Sequence, residues 1–229
     1  MATFQSWMLV GSCLALLTAL GCGDEGGSGG SGAGASGGGS ASGGMTASGG
    51  MAATGGSTAT GGMAPFAVTS DAFEEGGTIP QPHECGPPIA MGPGSNVSPA
   101  LTWTPGPPGT ASYAVVVHDV DAKIAQFPNG IIHWVIYDIP ASTLSLSEGI
   151  MQGYAVATPS GAKQGEIQGS GYFGYFGPCS PNSVNTYVFT VHAMPEATLP
   201  GVTMASSESQ IAEIVEQSSI AQTSLSGES

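Results

Sequence analysis

Residues 114–140, AVVVHDVDAKIAQFPNGIIHWVIYDIP, constrain this chain more than any other stretch. Two apolar, β-branched runs, Ala114–Val117 and Ile131–Tyr137, are separated by Asp, Lys, Pro, Asn and Gly. Runs of this kind bounded by turn residues predict two strands. Each carries polar chemistry: His118, Asp119 and Asp121 follow the first strand, and His133 lies inside the second. Acids and histidines beside buried strands need partners, because burying a charge unpaired costs several kcal/mol or shifts its pKa. Two readings stay open from these residues alone: a surface turn with a hydrogen-bonded core histidine, or a functional site.

The surroundings point to a β-rich domain that begins at residue 65. FAVTSDAF (66–73) alternates as an edge strand does, and Thr78–Val97 is a Pro- and Gly-rich loop. Leu101–Trp103 is a short strand, 105–109 a turn, and Asn185–Ala193 alternates strongly. Residues 143–171 are mostly irregular. In 207–225, Ile211, Ile214, Val215 and Ile220 fall near helical spacing behind a Ser-rich start, predicting one helix. Short strands, many turns and a single C-terminal helix indicate an antiparallel β-sandwich, all-β dominated.

The first quarter of the chain cannot contribute to that core. Trp7–Leu20 is apolar, short for a membrane span, and followed at once by small residues. Residues 1–21 therefore read as a signal peptide, and Ala19-Leu20-Gly21-Cys22 resembles a bacterial lipobox with Cys22 as the lipidated residue. Residues 22–64 are almost entirely Gly, Ser, Ala, Thr and Met, with GGM recurring from Gly43, Gly49 and Gly61. Such a tract cannot repay the entropy of folding; it is a flexible tether spanning roughly 35 Å. The GGSGG at 26–30 formally matches a nucleophile-elbow pattern but lacks the strand-to-helix setting that the motif needs.

Export bears on the cysteines. With Cys13 removed and Cys22 lipidated, Cys85 and Cys179 remain, and an even pair in an oxidising compartment favours a disulfide. Charge excludes one class of partner. Sixteen acids face two lysines, Lys123 and Lys163, with no arginine, for a net charge of −14. Nucleic acids are held by Lys and Arg on phosphates, so nucleic-acid binding is excluded as a function.

Four separated motifs then fall into one order. Ser98-Pro99-Ala100-Leu101-Thr102-Trp103, Asp119-Val120-Asp121-Ala122, His133-Trp134-Val135 and Gly174–Pro181 followed by Tyr187-Val188-Phe189 resemble the SPxLxW, DPDAP, HWV and GYxGPCPP…YxF motifs of the phosphatidylethanolamine-binding (Raf-kinase-inhibitor-like) protein family, bacterial branch. The resemblance spans about Phe66 to Leu225. It implies a β-sandwich with a small pocket for an anionic head group at one end. By matching motifs, the pocket residues are Asp119, His133, Gly177, Pro178 and Tyr187, with Asp121 bracing the loop and Asn185 beside them.

The chemistry is intelligible in itself. A phosphate oxygen wants donors, which an imidazole and a tyrosine hydroxyl supply. Asp119 is expected to orient His133 and raise its basicity, keeping it charged near neutrality. The chain departs from the family pattern at Asn185 and Thr186, which stand where His and Arg are usual, and at Val120 and Lys123, which replace two prolines. Loss of those cations implies weaker anion binding or a different ligand. Lys123 reads as a solvated side chain unless its loop folds over the pocket. His192 is expected to face away from Tyr187, and His83 to sit solvated in its loop. His118, His133 and two acids outline a metal site on paper, but no facial three-ligand spacing supports one.

Three functions compete. The first is an exported, membrane-anchored binding module for a small anion or lipid head group. The second is an inhibitor of a secreted protease, acting through the 122–130 loop. The third, an enzyme, lacks a nucleophile, oxyanion loop or metal cluster beside Asp119, His133 and Tyr187, so no catalytic residue, cofactor or metal is assigned.

Overall fold

The computed structural model describes residues 64–125, 128–167, 169–180 and 183–229. The expected signal segment 1–21, the lipidation site Cys22 and the tether as far as residue 63 lie outside the described residues. Strand β1 is Val68–Thr69, β2 Gly77–Thr78, β3 Leu101–Trp103, β4 Ser112–Asp119 and β5 Ile131–Pro140. Strands β6 (Ser145–Leu146), β7 (Lys163–Gln164) and β8 (Thr186–Met194) precede helix α1 (Glu208–Ser218) and strand β9 (Ala221–Glu228). Six strands form one sheet in the order β2-β9-β8-β4-β5-β7, and β1-β3-β6 form a second. Every pairing is antiparallel except β2 with β9.

Strand β4 is apolar at consecutive positions because both its faces are covered. Tyr113, Val115 and Val117 pack with Trp134 and Ile136 of β5 and Phe189 and Val191 of β8. Val68, Leu101, Trp103 and Leu146 of the small sheet close that layer, which is the sandwich core. Ala114 and Val116 face the other way, with Val135 and Tyr137, against Ile211, Ala212 and Val215 of α1. Burying a side chain of Val to Phe size is worth about 1.5–3 kcal/mol, so these two clusters dominate the stability of the domain.

The helix is shorter than its periodicity predicts. A capping box opens it, with Ser207 Oγ accepting from the Gln210 amide and Gln210 reaching back to the Ser207 amide. It ends at Ser218, and the Ser219 N–H donates to the Val215 carbonyl. Ile220, placed on the helix by spacing, is half exposed beyond the cap. The next eight residues form β9, paired along its length with β8. Its sequence AQTSLSGE has one large apolar residue, so strand character here comes from backbone pairing with β8. The edge strand expected over 66–73 is confined to Val68–Thr69. His83, expected to be solvated, is instead buried: its Nδ1 lies 2.7 Å from the Val97 carbonyl, and its own carbonyl accepts the Tyr175 hydroxyl.

His192 sits on the α1 side of β8, away from Tyr187, and is buried with Nδ1 unbonded. Burial pushes its pKa from 6.5 to about 4. The folded state therefore binds this proton less readily than the unfolded chain. Its contribution to stability is full above about pH 6.5 and is lost as pH falls toward about 4. At about 1.4 kcal/mol per pH unit, the loss amounts to about 3 kcal/mol. Urea titrations between these limits check this: His192→Leu flattens part of the slope. His133, which burial shifts in the same direction, contributes to the rest.

Candidate functional site

Asp119 and Tyr187 are paired across β4 and β8, and Asp119 is also paired with Ile131 of β5. Three strands thus meet where the hairpin loop begins. His133 is placed there by a bulge: Val117 pairs with Trp134 but His118 with Ile132, leaving His133 as the extra residue. Such an insertion re-aims a side chain without breaking the sheet. The result separates the two neighbouring histidines. His133 joins Asp119 at one cleft, whereas His118 lines a different groove beside α1.

The imidazole of His133 is 3 % exposed, stacks on Phe176 at 5.1 Å and meets the edge of Tyr187 at 5.2 Å. Its Nδ1 lies 3.0 Å from the Phe176 carbonyl, an acceptor only, so Nδ1 carries the proton. In the neutral ring, Nε2 is then a lone pair. The expectation that Asp119 orients this ring and keeps it charged is not what the structure shows. Burial pulls the pKa of His133 below its ordinary value, and the Phe176 carbonyl and the charge of Asp119 oppose that pull only in part.

Asp119 is spent elsewhere. One carboxylate oxygen accepts the amides of Asp121 (3.0 Å) and Ala122 (2.9 Å), and the other accepts the Asn185 side-chain amide at 2.9 Å. Asp121 accepts the Thr186 amide at 2.8 Å, which holds its carboxyl below the usual carboxylate range. The two acids of the D-x-D motif therefore clip the hairpin loop to the start of β8. Asn185 is buried too, and its side-chain carbonyl accepts from Ser183 Oγ at 2.7 Å.

The far wall comes from 176–180. Tyr187 lies beneath it, fully buried, with its hydroxyl 2.7 Å from Ser180 Oγ and accepting the Cys179 amide at 3.3 Å. Burial raises its pKa to about 12, so it stays neutral. Gly177 backs the wall: a Cβ there would meet the His83 carbonyl at 2.3 Å, so no other residue fits without moving backbone. Its amide donates to Asn96 Oδ1, and the Pro178 carbonyl accepts the Cys85 amide. Cys85 and Cys179 are joined, with their Cα atoms 5.3 Å apart.

These elements enclose a cleft of about 410 Å³. Asp119, Asp121, His133 and Asn185 line it, together with Lys123, Ile124, Phe176, Cys179 and Ser180. Gly177, Pro178 and Tyr187 support the lining from behind. Lys123 and Ser180 joined the cleft through tertiary structure; their sequence positions beside the D-x-D and GPC motifs were the available signal. A groove of about 490 Å³ beside α1 is larger, but His118 is the sole histidine on it among Glu213, Glu216 and other polar residues.

The profile of the phosphatidylethanolamine-binding protein family matches residues 69–229. A UPF0098 protein of Aquifex aeolicus is 37 % identical over 129 residues, covering 56 % of this chain and 67 % of that protein. The crystal structure of Escherichia coli YbcL, described as a new member of the mammalian PEBP family, superposes with a TM-score of 0.62 at 30 % identity. That match covers 72 % of this chain and 98 % of YbcL. A homologue from Chlamydia trachomatis, CT736, gives a TM-score of 0.57 at 26 % identity over 72 % of this chain and 96 % of CT736. The domain thus has relatives of known fold, and the chain belongs to the phosphatidylethanolamine-binding protein family.

Proposed function

We propose that this chain is an exported, lipid-anchored binding module whose cleft holds a small anion, a phosphate group above all. One observation carries the reading. His133 has its Nδ1 committed to the Phe176 carbonyl, while the ring lines the cleft. A ligand oxygen at Nε2 is received as an anion only when that nitrogen is protonated. Anion binding and proton uptake are therefore one event. The family's name supports a phospholipid head group, such as phosphoethanolamine, as the phosphate source. The segment ending at Cys22 and the Cys85–Cys179 bond both fit an oxidising compartment.

Because His133 titrates below its ordinary value, anion affinity rises as pH falls. Calorimetry with sulfate, which keeps its charge throughout, is expected to show roughly tenfold tighter binding at about pH 5.5 than at about pH 7.5. His133→Gln is expected to remove that dependence. Binding that is equally strong at both pH values, or absent at millimolar sulfate, contradicts the proposal.

A further inference from the structure

The cleft has an electrostatic problem. Two carboxylates, Asp119 and Asp121, line it, and the whole chain carries a net charge of −14. Only two lysines and no arginines exist to offset this. Lys163 is committed: its Nζ lies 2.6 Å from Asp138, far along β5 from the cleft. Lys123 lines the cleft and forms no ion pair among the described residues. Its backbone amide donates to the Asp121 carbonyl at 2.7 Å, in the loop that Asp119 and Asp121 fasten to β8. The chain's second lysine is thus held at the rim of this cleft, where its charge also acts on Asp121.

Resting on the anion-cleft reading above, we infer that Lys123 is the specificity-determining residue that sets which charge the cleft accepts. Asp119 has its charge spread over three N–H donors, and Asp121 has one. Without Lys123 the only positive charge set against these two carboxylates is the imidazolium that His133 becomes as the ligand binds. With Lys123 the attraction grows with each negative charge on the ligand, following Coulomb's law. Lys123 therefore matters more to a dianion, such as sulfate or a phosphate monoester, than to a carboxylate. Exposed Lys123 reaches the ligand from the solvent side while His133 receives it from below.

Calorimetry with sulfate and acetate on the wild-type chain and on Lys123→Met and Lys123→Arg tests this. Lys123→Met is expected to weaken sulfate roughly three- to tenfold and acetate by clearly less, and Lys123→Arg to restore both. Asp121→Asn keeps an acceptor for Thr186 but removes a charge, and is expected to tighten sulfate. Inorganic phosphate and glycerol phosphate, run side by side, tell a free ion from a head group by which binds more tightly; with either, Lys123→Met weakens binding. Wild-type binding of sulfate unchanged in Lys123→Met overturns the inference and leaves the cleft reading standing. No wild-type binding of sulfate overturns both.

Discussion

Replacing Cys85 and Cys179 together by alanine is expected to lower the stability of the domain by about 4–5 kcal/mol. The bond closes a loop of 94 residues, and cross-linking a loop of that length removes much of the freedom of the unfolded chain. The consequences are also local. Around the bond, Cys85 donates to the Pro178 carbonyl, Asn96 receives the Gly177 amide, and Gly177 presses against His83. The disulfide thereby fastens one loop to the wall that carries the Phe176 carbonyl. Urea unfolding of the double variant measures the stability loss, and sulfate calorimetry on the folded fraction measures the cleft. A stability within about 1 kcal/mol of the wild type contradicts this role.

Asp119→Ala is expected to cost about 3 kcal/mol and, by releasing the loop that carries Lys123, to weaken sulfate binding despite the loss of a negative charge. It strips the acceptor from three N–H groups at once: the amides of Asp121 and Ala122, and the side chain of Asn185. A polar group left buried without its partner costs about 1–3 kcal/mol. Asn185 is buried and pays most, while the two loop amides are nearer solvent. Asp119→Asn separates charge from hydrogen bonding, because its carbonyl still serves the loop amides; about 1 kcal/mol is expected. Equal stability of Asp119→Ala and wild type in urea contradicts the clip between β4 and β8.

The two long strands were legible because β-branched runs bounded by Pro, Gly and Asp have few other conformations, and β4 and β5 contain the runs read from them. The acids and His133 were legible as chemistry, but not as geometry. Their partners, Asn185, Thr186 and the Phe176 carbonyl, lie 43 to 66 positions away. The bulge that presents His133 depends on the register between strands, which no local pattern encodes. Strand β9 was hidden for the same reason: its small polar residues gain strand form only from β8. His83 looked like a loop residue until the chain folded the 81–97 segment against Tyr175. Sequence logic also overstated Asp119 as a partner of the imidazole, because it priced the charge and not the burial that opposes it.

Nitrogen-15 NMR of the histidine rings at about pH 6.5, during a sulfate titration, follows the proton on His133 itself. The expected result is a ring that moves from neutral to imidazolium as sulfate saturates the cleft, with Nδ1 protonated throughout. A His133 that stays neutral with sulfate bound, or one that is unmoved at millimolar sulfate, contradicts the account.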